Sequence, residues 1–164
     1  MYFYLKKCYN YAKEVIAVPT KISENELNNY GINLNHETMD NGQLRFRLSG
    51  SDGSGYIRCE NPGEPAWENS HSHSRFRELI LVQRGTVVFA SYIGGQAHFT
   101  ALKEGEFIIA YPGIAHNEIL SKDAVIHTVK HGDCSNIDWV PCPELDELTK
   151  HLTFKEALEA GGNA

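Results

Sequence analysis

The sequence predicts an all-β fold, an antiparallel sandwich or barrel with short helical extensions at both ends. Three observations carry this. Short segments of alternating or continuous apolar character recur throughout residues 43–131. Turn-forming clusters of Gly, Pro, Ser and Asp separate them. No ten-residue helical period intervenes, as a parallel α/β sheet would need between its strands.

Taken in order, residues 43–48 (Gln-Leu-Arg-Phe-Arg-Leu) alternate with period two, the pattern of a half-buried strand. Residues 49–55 form a Gly/Ser/Asp turn, residues 56–58 resume a strand, and residues 61–65 break it again with two prolines. Six further strands are read at residues 78–82, 86–93, 98–102, 106–111, 117–120 and 124–129. The turns between them fall at Arg84-Gly85, Gly94-Gly95, Glu104-Gly105, Pro112-Gly113 and residues 121–123. The β domain therefore occupies residues 41–133, between an N-terminal extension (1–40) and a C-terminal extension (134–164). In the first, residues 5–16 are compatible with a short helix, and Ser23 followed by Glu26 has the pattern of a helix cap. In the second, Leu145, Leu148, Leu152, Ala157 and Leu158 recur every three or four residues. They suggest one amphipathic helix, or two short ones, packed on the outside of the β domain.

With 164 residues the chain has the size of one domain and buries enough surface to fold without a disulfide or structural metal. Its 21 acidic and 15 basic side chains leave a net charge of −6, and no basic block is present, which argues against binding a phosphate backbone. No run approaches the about 20 apolar residues of a membrane span. The apolar patch at residues 2–5 is cut short by Lys6 and Lys7, the wrong order for a secretory signal. Cys8, Cys59, Cys134 and Cys142 form no Cys-x-x-Cys pair and are expected to be free thiols in a cytoplasmic protein.

The chemistry concentrates in four residues. His71 and His73 are two positions apart, so on a strand both imidazoles leave the same face. Glu78 follows after a gap long enough for a turn and return. His116 stands just beyond the Pro112-Gly113 turn, at the start of another strand. Three imidazoles and a carboxylate suit one divalent transition metal (iron, manganese, nickel or zinc) and leave positions open for water, dioxygen or a chelating substrate.

The run His71-x-His73-x4-Glu78-x6-Gly85, with Gly105 and then Gly113-x-x-His116, resembles the two motifs of the cupin superfamily. The likeness covers residues 67 to about 130. It implies a small antiparallel jelly roll in which His71, His73, Glu78 and His116 hold one metal ion, as in small single-domain bacterial cupins. The chain departs from the pattern at Pro65, where the first motif opens on Gly, at Tyr111 in the proline position of the second motif, and at Leu120 in place of Asn. These are turn and auxiliary positions, and the four ligands are intact.

Other candidates surround this set. Trp67 and Asn69 share strand parity with His71 and His73, which places them at the rim as substrate-binding residues; core packing is the competing role for Trp67. Arg75, on the turn before Glu78, could recruit an acidic substrate, and Tyr92 and Tyr111 offer phenolic donors. His127 is in phase with Val125 and Val129; if that phase faces inward, His127 joins His116 as a catalytic residue, and otherwise it is a core histidine. Asn117 should point away from the pocket. The expected function is a mononuclear metal-dependent enzyme acting on a small oxygen-rich substrate, a carbohydrate or a keto or carboxylic acid. The reaction would be of the dioxygenase or isomerase/epimerase type. The alternative is a non-catalytic small-ligand sensor. Neither reading involves nucleic acid or membrane. Because residues 78–82 and 106–110 are apolar on both phases, a homodimer covering the second face is expected.

Overall fold

The computed structural model describes residues 21–132 and 138–162. The helix expected at residues 5–16, Cys8 and Cys134 lie outside them. Eleven strands run β1 (Ile32–Thr38), β2 (Leu44–Gly50), β3 (Gly55–Glu60), β4 (His71–Ser72), β5 (Phe76–Arg84), β6 (Thr86–Ile93), β7 (Gln96–Lys103), β8 (Phe107–Ala110), β9 (His116–Leu120), β10 (Val125–Gly132) and β11 (Val140–Pro141). Three short α-helices are α1 (Glu24–Leu27), α2 (Pro143–Thr149) and α3 (Phe154–Gly161). Among the described residues every strand pairing is antiparallel. One sheet has the order β1-β2-β3-β10-β5-β8 and the other β11-β4-β9-β6-β7. The chain passes repeatedly from one sheet to the other, so residues distant in sequence meet in the space between them.

Alternation decides what fills that space. Ile80 and Val82 of β5, Val87 and Phe89 of β6, Leu120 of β9 and Ile126 of β10 point inward and form one apolar cluster. Burying each such side chain contributes about 1.5–3 kcal/mol. The intervening residues of β6 and β9, Val88, Ala90 and Ile119, are buried as well, because α2 and α3 cover the outer face of the five-stranded sheet with Leu145 and Ala157. The expected amphipathic tail is thus two helices. Pro143 occupies the first turn of α2. Thr153 and Glu156 close a capping box on α3, the Glu156 carboxylate accepting from the Thr153 N–H at 2.8 Å. Gly161 lets the end of α3 approach β7, where an added Cβ would stand 2.9 Å from the Ala101 nitrogen.

At the other end, the Glu26 carboxylate accepts hydrogen bonds from both the N–H and the hydroxyl of Ser23 at the start of α1. β1 follows, within the N-terminal extension, and pairs with β2 along its whole length, from Ile32 opposite Gly50 to Thr38 opposite Leu44. Cys59 and Cys142 are free thiols. Burial pushes the Cys59 thiol up to about 12 and keeps it protonated. Among the described residues, no helix is long and apolar enough to cross a membrane.

Candidate metal centre

His71 sits on β4 directly opposite His116 on β9. The turn that delivers His116 is bonded to the segment that carries the first pair of histidines, at His73 just beyond β4. Gly113, at φ +79°, donates its N–H to the His73 carbonyl at 2.7 Å, and the Ala115 carbonyl accepts from Tyr92 N–H at 2.8 Å. Only a residue at ease in the left-handed region makes this turn cheaply, which accounts for the Pro-Gly pair. Glu78 projects from β5 of the opposite sheet. The donor atoms of His71, His73, Glu78 and His116 all lie within 4.8 Å of one another.

The outer nitrogens of the three imidazoles are committed elsewhere. His71 Nδ1 is 3.0 Å from the Asn69 carbonyl, and His116 Nδ1 is 3.2 Å from the Ile114 carbonyl. His73 Nδ1 is 3.2 Å from Asp138 Oδ1. A ring nitrogen facing an acceptor carries the proton, so His71 and His73 turn Nε2 inward as a lone-pair donor, while His116 has an acceptor at each nitrogen and would offer its Nε2 lone pair only to a cation seated between it and Glu78. The Asp138 carboxylate is fixed in turn, its Oδ2 accepting from the Ser74 N–H, the Ser74 hydroxyl and the Arg75 N–H. On the inner side, His116 Nε2 is 3.0 Å from Glu78 Oε2, and His73 Nε2 is 3.5 Å from Glu78 Oε1. His73 Nε2 is buried with no hydrogen-bond partner. A buried acceptor left bare costs about 1–3 kcal/mol. A cation among these donors would satisfy it, so the residues present fit a divalent transition metal.

The electrostatics agree. Burial, followed by the neighbouring His116, holds the His71 imidazole down to about 3, in its neutral, metal-binding form. Burial alone would raise the Glu78 carboxyl, but the adjacent His116 and His73 imidazoles and the Lys130 ammonium outweigh it and keep Glu78 ionised. Lys130 Nζ lies 3.1 Å from Glu78 Oε1.

Neither a family model nor a curated protein matches the chain. Solved structures do match. Oxalate decarboxylase from Bacillus subtilis, determined in work on its Mn(II) centres, aligns with a TM-score of 0.55 and 11% identity. The match covers 66% of this chain but 30% of the decarboxylase. The Drosophila melanogaster CENP-C cupin domain aligns with a TM-score of 0.50 and 16% identity over 69% of this chain and 86% of its own. KdgF from Halomonas sp. aligns with a TM-score of 0.49 and 14% identity over 58% and 84%. The chain has the cupin fold.

In this fold three of the four donors, His71, Glu78 and His116, line a cavity of about 110 Å³. Ile57, Ile80 and Ile126 give it apolar walls, while Arg45, Glu68, Glu118 and Lys130 add charged groups. Arg45 is paired with Glu68 at 2.5 Å. Glu118 is buried, and its Oε2 has no hydrogen-bond partner. Burial first, then the adjacent Glu68, raises its carboxyl well above the ordinary range. Trp139 stacks on His71 at 5.5 Å and 23° at the cavity mouth.

The structure places the remaining candidates elsewhere. The inward phase of β10 is Ile126, Thr128 and Lys130, so His127 faces outward. There Nδ1 meets the Tyr56 hydroxyl at 2.7 Å, and Nε2 meets Gln83 Oε1 at 2.5 Å. The phase of Val125, His127 and Val129 faces outward, with Val129 42% exposed, while Ala124 and Ile126 join the apolar cluster between the sheets. Trp67 packs beneath the C-terminal helices, its indole N–H donating to the Leu152 carbonyl at 2.9 Å. Asn69 contributes its carbonyl to His71, while its side chain accepts from Lys150. The parity linking Trp67 and Asn69 to the histidines does not hold, because residues 68–70 are not a strand. Arg75 and Tyr111 are exposed, and Tyr92 packs with the outer apolar cluster. The Asn117 side chain faces away from the cavity, donating to Thr149 of α2 at 3.2 Å.

Lys130, Asp138, Trp139 and Glu118 were not among the sequence candidates. The phase of β10 would have found Lys130. Asp138 is an isolated acid 65 positions from the histidine it holds, and nothing local in the sequence marks it.

Proposed function

We propose that this cupin is a mononuclear metal-dependent enzyme acting on a small oxygen-rich substrate, a carbohydrate or a keto or carboxylic acid, by dioxygenase or isomerase chemistry. The observation that carries the reading is the convergence of four donors within 4.8 Å of one another, with His73 Nε2 buried and unpartnered. His71, His73, Glu78 and His116 would hold the ion. When bound, it would supply Lewis-acid polarisation of substrate oxygens and, as iron or manganese, redox chemistry.

The chain's own residues shape what enters. Lys130 puts a positive charge on the cavity wall beside Glu78, where the oxygens of an acidic substrate would be stabilised. The isoleucine walls keep the dielectric low, which strengthens every charge interaction inside. Trp139 narrows the mouth and limits water. The Mn(II) centres named for the Bacillus subtilis oxalate decarboxylase, in the same fold, support a metal role. The alternative is a small-ligand sensor with the same site and no turnover.

Elemental analysis of gently purified protein tests the metal reading. The expected content is close to one transition-metal ion per chain. Less than about a tenth of an ion, with no uptake of iron, manganese, nickel or zinc, would overturn it. Aerobic and anaerobic screens of sugars, sugar acids and keto acids then separate enzyme from sensor, since binding without turnover selects the sensor.

A further inference from the structure

We infer that the metal cavity receives only one end of its ligand, and that an adjoining groove holds the rest, a polyhydroxylated oligomer of the oligosaccharide class. The inference rests on the metal-site reading only for the inner end. At about 110 Å³ the cavity is smaller than the roughly 300 Å³ at the low end of small-molecule sites. It has room for a chelating acid or hydroxy-carbonyl group, not for a whole sugar ring. Beside it lies an open groove of about 750 Å³, well within the range of a ligand site. Arg45, Arg47, Glu68 and Trp139 line both spaces, so the groove adjoins the cavity along these side chains.

The groove's lining selects the class of occupant. Its exposed side chains are Asp40, Asn69, Lys150, His151, Thr153 and Trp139. Five are polar, able to donate to or accept from hydroxyl groups, and one is an indole. A sugar ring presents the matching surfaces, a hydroxyl rim and an apolar C–H face. Trp139 leans against His71 at the junction and is still 46% exposed, so it offers an apolar surface where the first unit outside the cavity would lie. The groove gives an apolar peptide anchor no deep pocket, because Trp67 and Ile119 are buried and Met39, Pro65, Ala66 and Leu152 are half-buried and give only shallow apolar surface. The groove is also built largely from turns and side chains, so it lacks the long free strand edge on which an extended peptide would pair.

A glycan array carrying neutral and acidic mono- to tetrasaccharides tests this. It would be probed with the full chain, the chain after chelation, and the Trp139→Ala and His151→Ala variants. His151 is exposed and remote from the four donors, so its variant reports on the groove without disturbing the metal site. The expected result is a signal for two or more units and little for one. Each variant should lower it about tenfold, and chelated protein should keep a weaker signal. No signal for any glycan, a signal independent of length, or one unchanged in both variants would overturn the inference. Metal content measured on the same preparation separates the two readings. A length-dependent signal from protein that holds less than about a tenth of an ion as purified and takes up none upholds the groove and removes the metal reading; bound metal with no glycan signal does the reverse.

Discussion

His116 Nε2 lies 3.0 Å from Glu78 Oε2, although the two residues belong to different sheets and stand 38 positions apart. This contact closes the donor set across the sandwich. His71 and His73 come from one short segment, while His116 depends on the turn that Gly113 bonds to His73. Replacing His116 by Ala should leave the fold intact but reduce its stability by about 1–3 kcal/mol, since Glu78 loses a buried partner. Metal affinity should fall, and any turnover should drop by orders of magnitude. Unfolding midpoint, metal content and activity check this together. A variant with full metal and full activity would show that His116 is not a ligand.

Asp138 acts one step further out. It receives His73 Nδ1–H while three donors from Ser74 and Arg75 hold its other oxygen. Asp138→Asn keeps the shape but weakens the acceptor that fixes the tautomer of His73. Metal affinity, measured by competition with a chromogenic chelator, should fall about 10–100-fold with little change in fold. An unchanged affinity would make the contact incidental to the metal.

Much of this molecule is legible in its sequence, and the reasons differ by element. β5 and β6 carry runs of Val, Ile and Leu and meet at the Gly85 turn. The His-x-His pair carries its own geometry, because period two puts both rings on one face. β1 is harder to read, since its Asn33, Asn35 and Glu37 are residues depleted in strands and it lies at a sheet edge. The phase of β10 is hidden because Val125 and Ile126 are both buried beside a register shift. Asp138 and Trp139 reach the site only through tertiary folding, so no local pattern announces them. The groove is shaped by turns around residues 39–41, 65–69 and 150–153, which carry no periodicity at all.

The half-buried His71 predicts a pH dependence. His71 is held neutral down to about 3, whereas in the unfolded chain it titrates near its ordinary 6.5. Between these values the unfolded state binds more protons, so stability falls as pH drops through the window. Glu78 acts in the same direction at lower pH. Its folded-state value lies below the ordinary 4.5, so its contribution is present above 4.5 and is lost as pH falls below it. With metal removed, the unfolding midpoint should decline below about pH 6.5 and more steeply below about 4.5. His71→Asn should flatten the upper part of the decline and leave the lower. A wild-type midpoint constant from pH 6.5 to 5 would refute the neutral His71.

The outer face of the six-stranded sheet predicts association. Leu81 pairs with Phe107 and Leu79 with Ile109 across β5 and β8, and Val129 of β10 lies opposite Leu79. These outward side chains therefore form one contiguous patch. Phe107 is 65% exposed and Val129 is 42% exposed, so the patch is uncovered by any described element. Contiguous apolar surface of this kind marks an interface more often than it tolerates water. A second copy of the chain is the proposed cover, which leaves the metal cavity, on the inner face, unobstructed. Light scattering at micromolar concentration should give twice the chain mass. Phe107→Lys should yield a monomer with an unchanged metal content, because a highly exposed side chain contributes little to the core and two buried ammonium groups would face each other across the contact. A monomeric wild-type mass would refute the dimer, and a Phe107→Lys variant that stayed dimeric would place the interface on another surface.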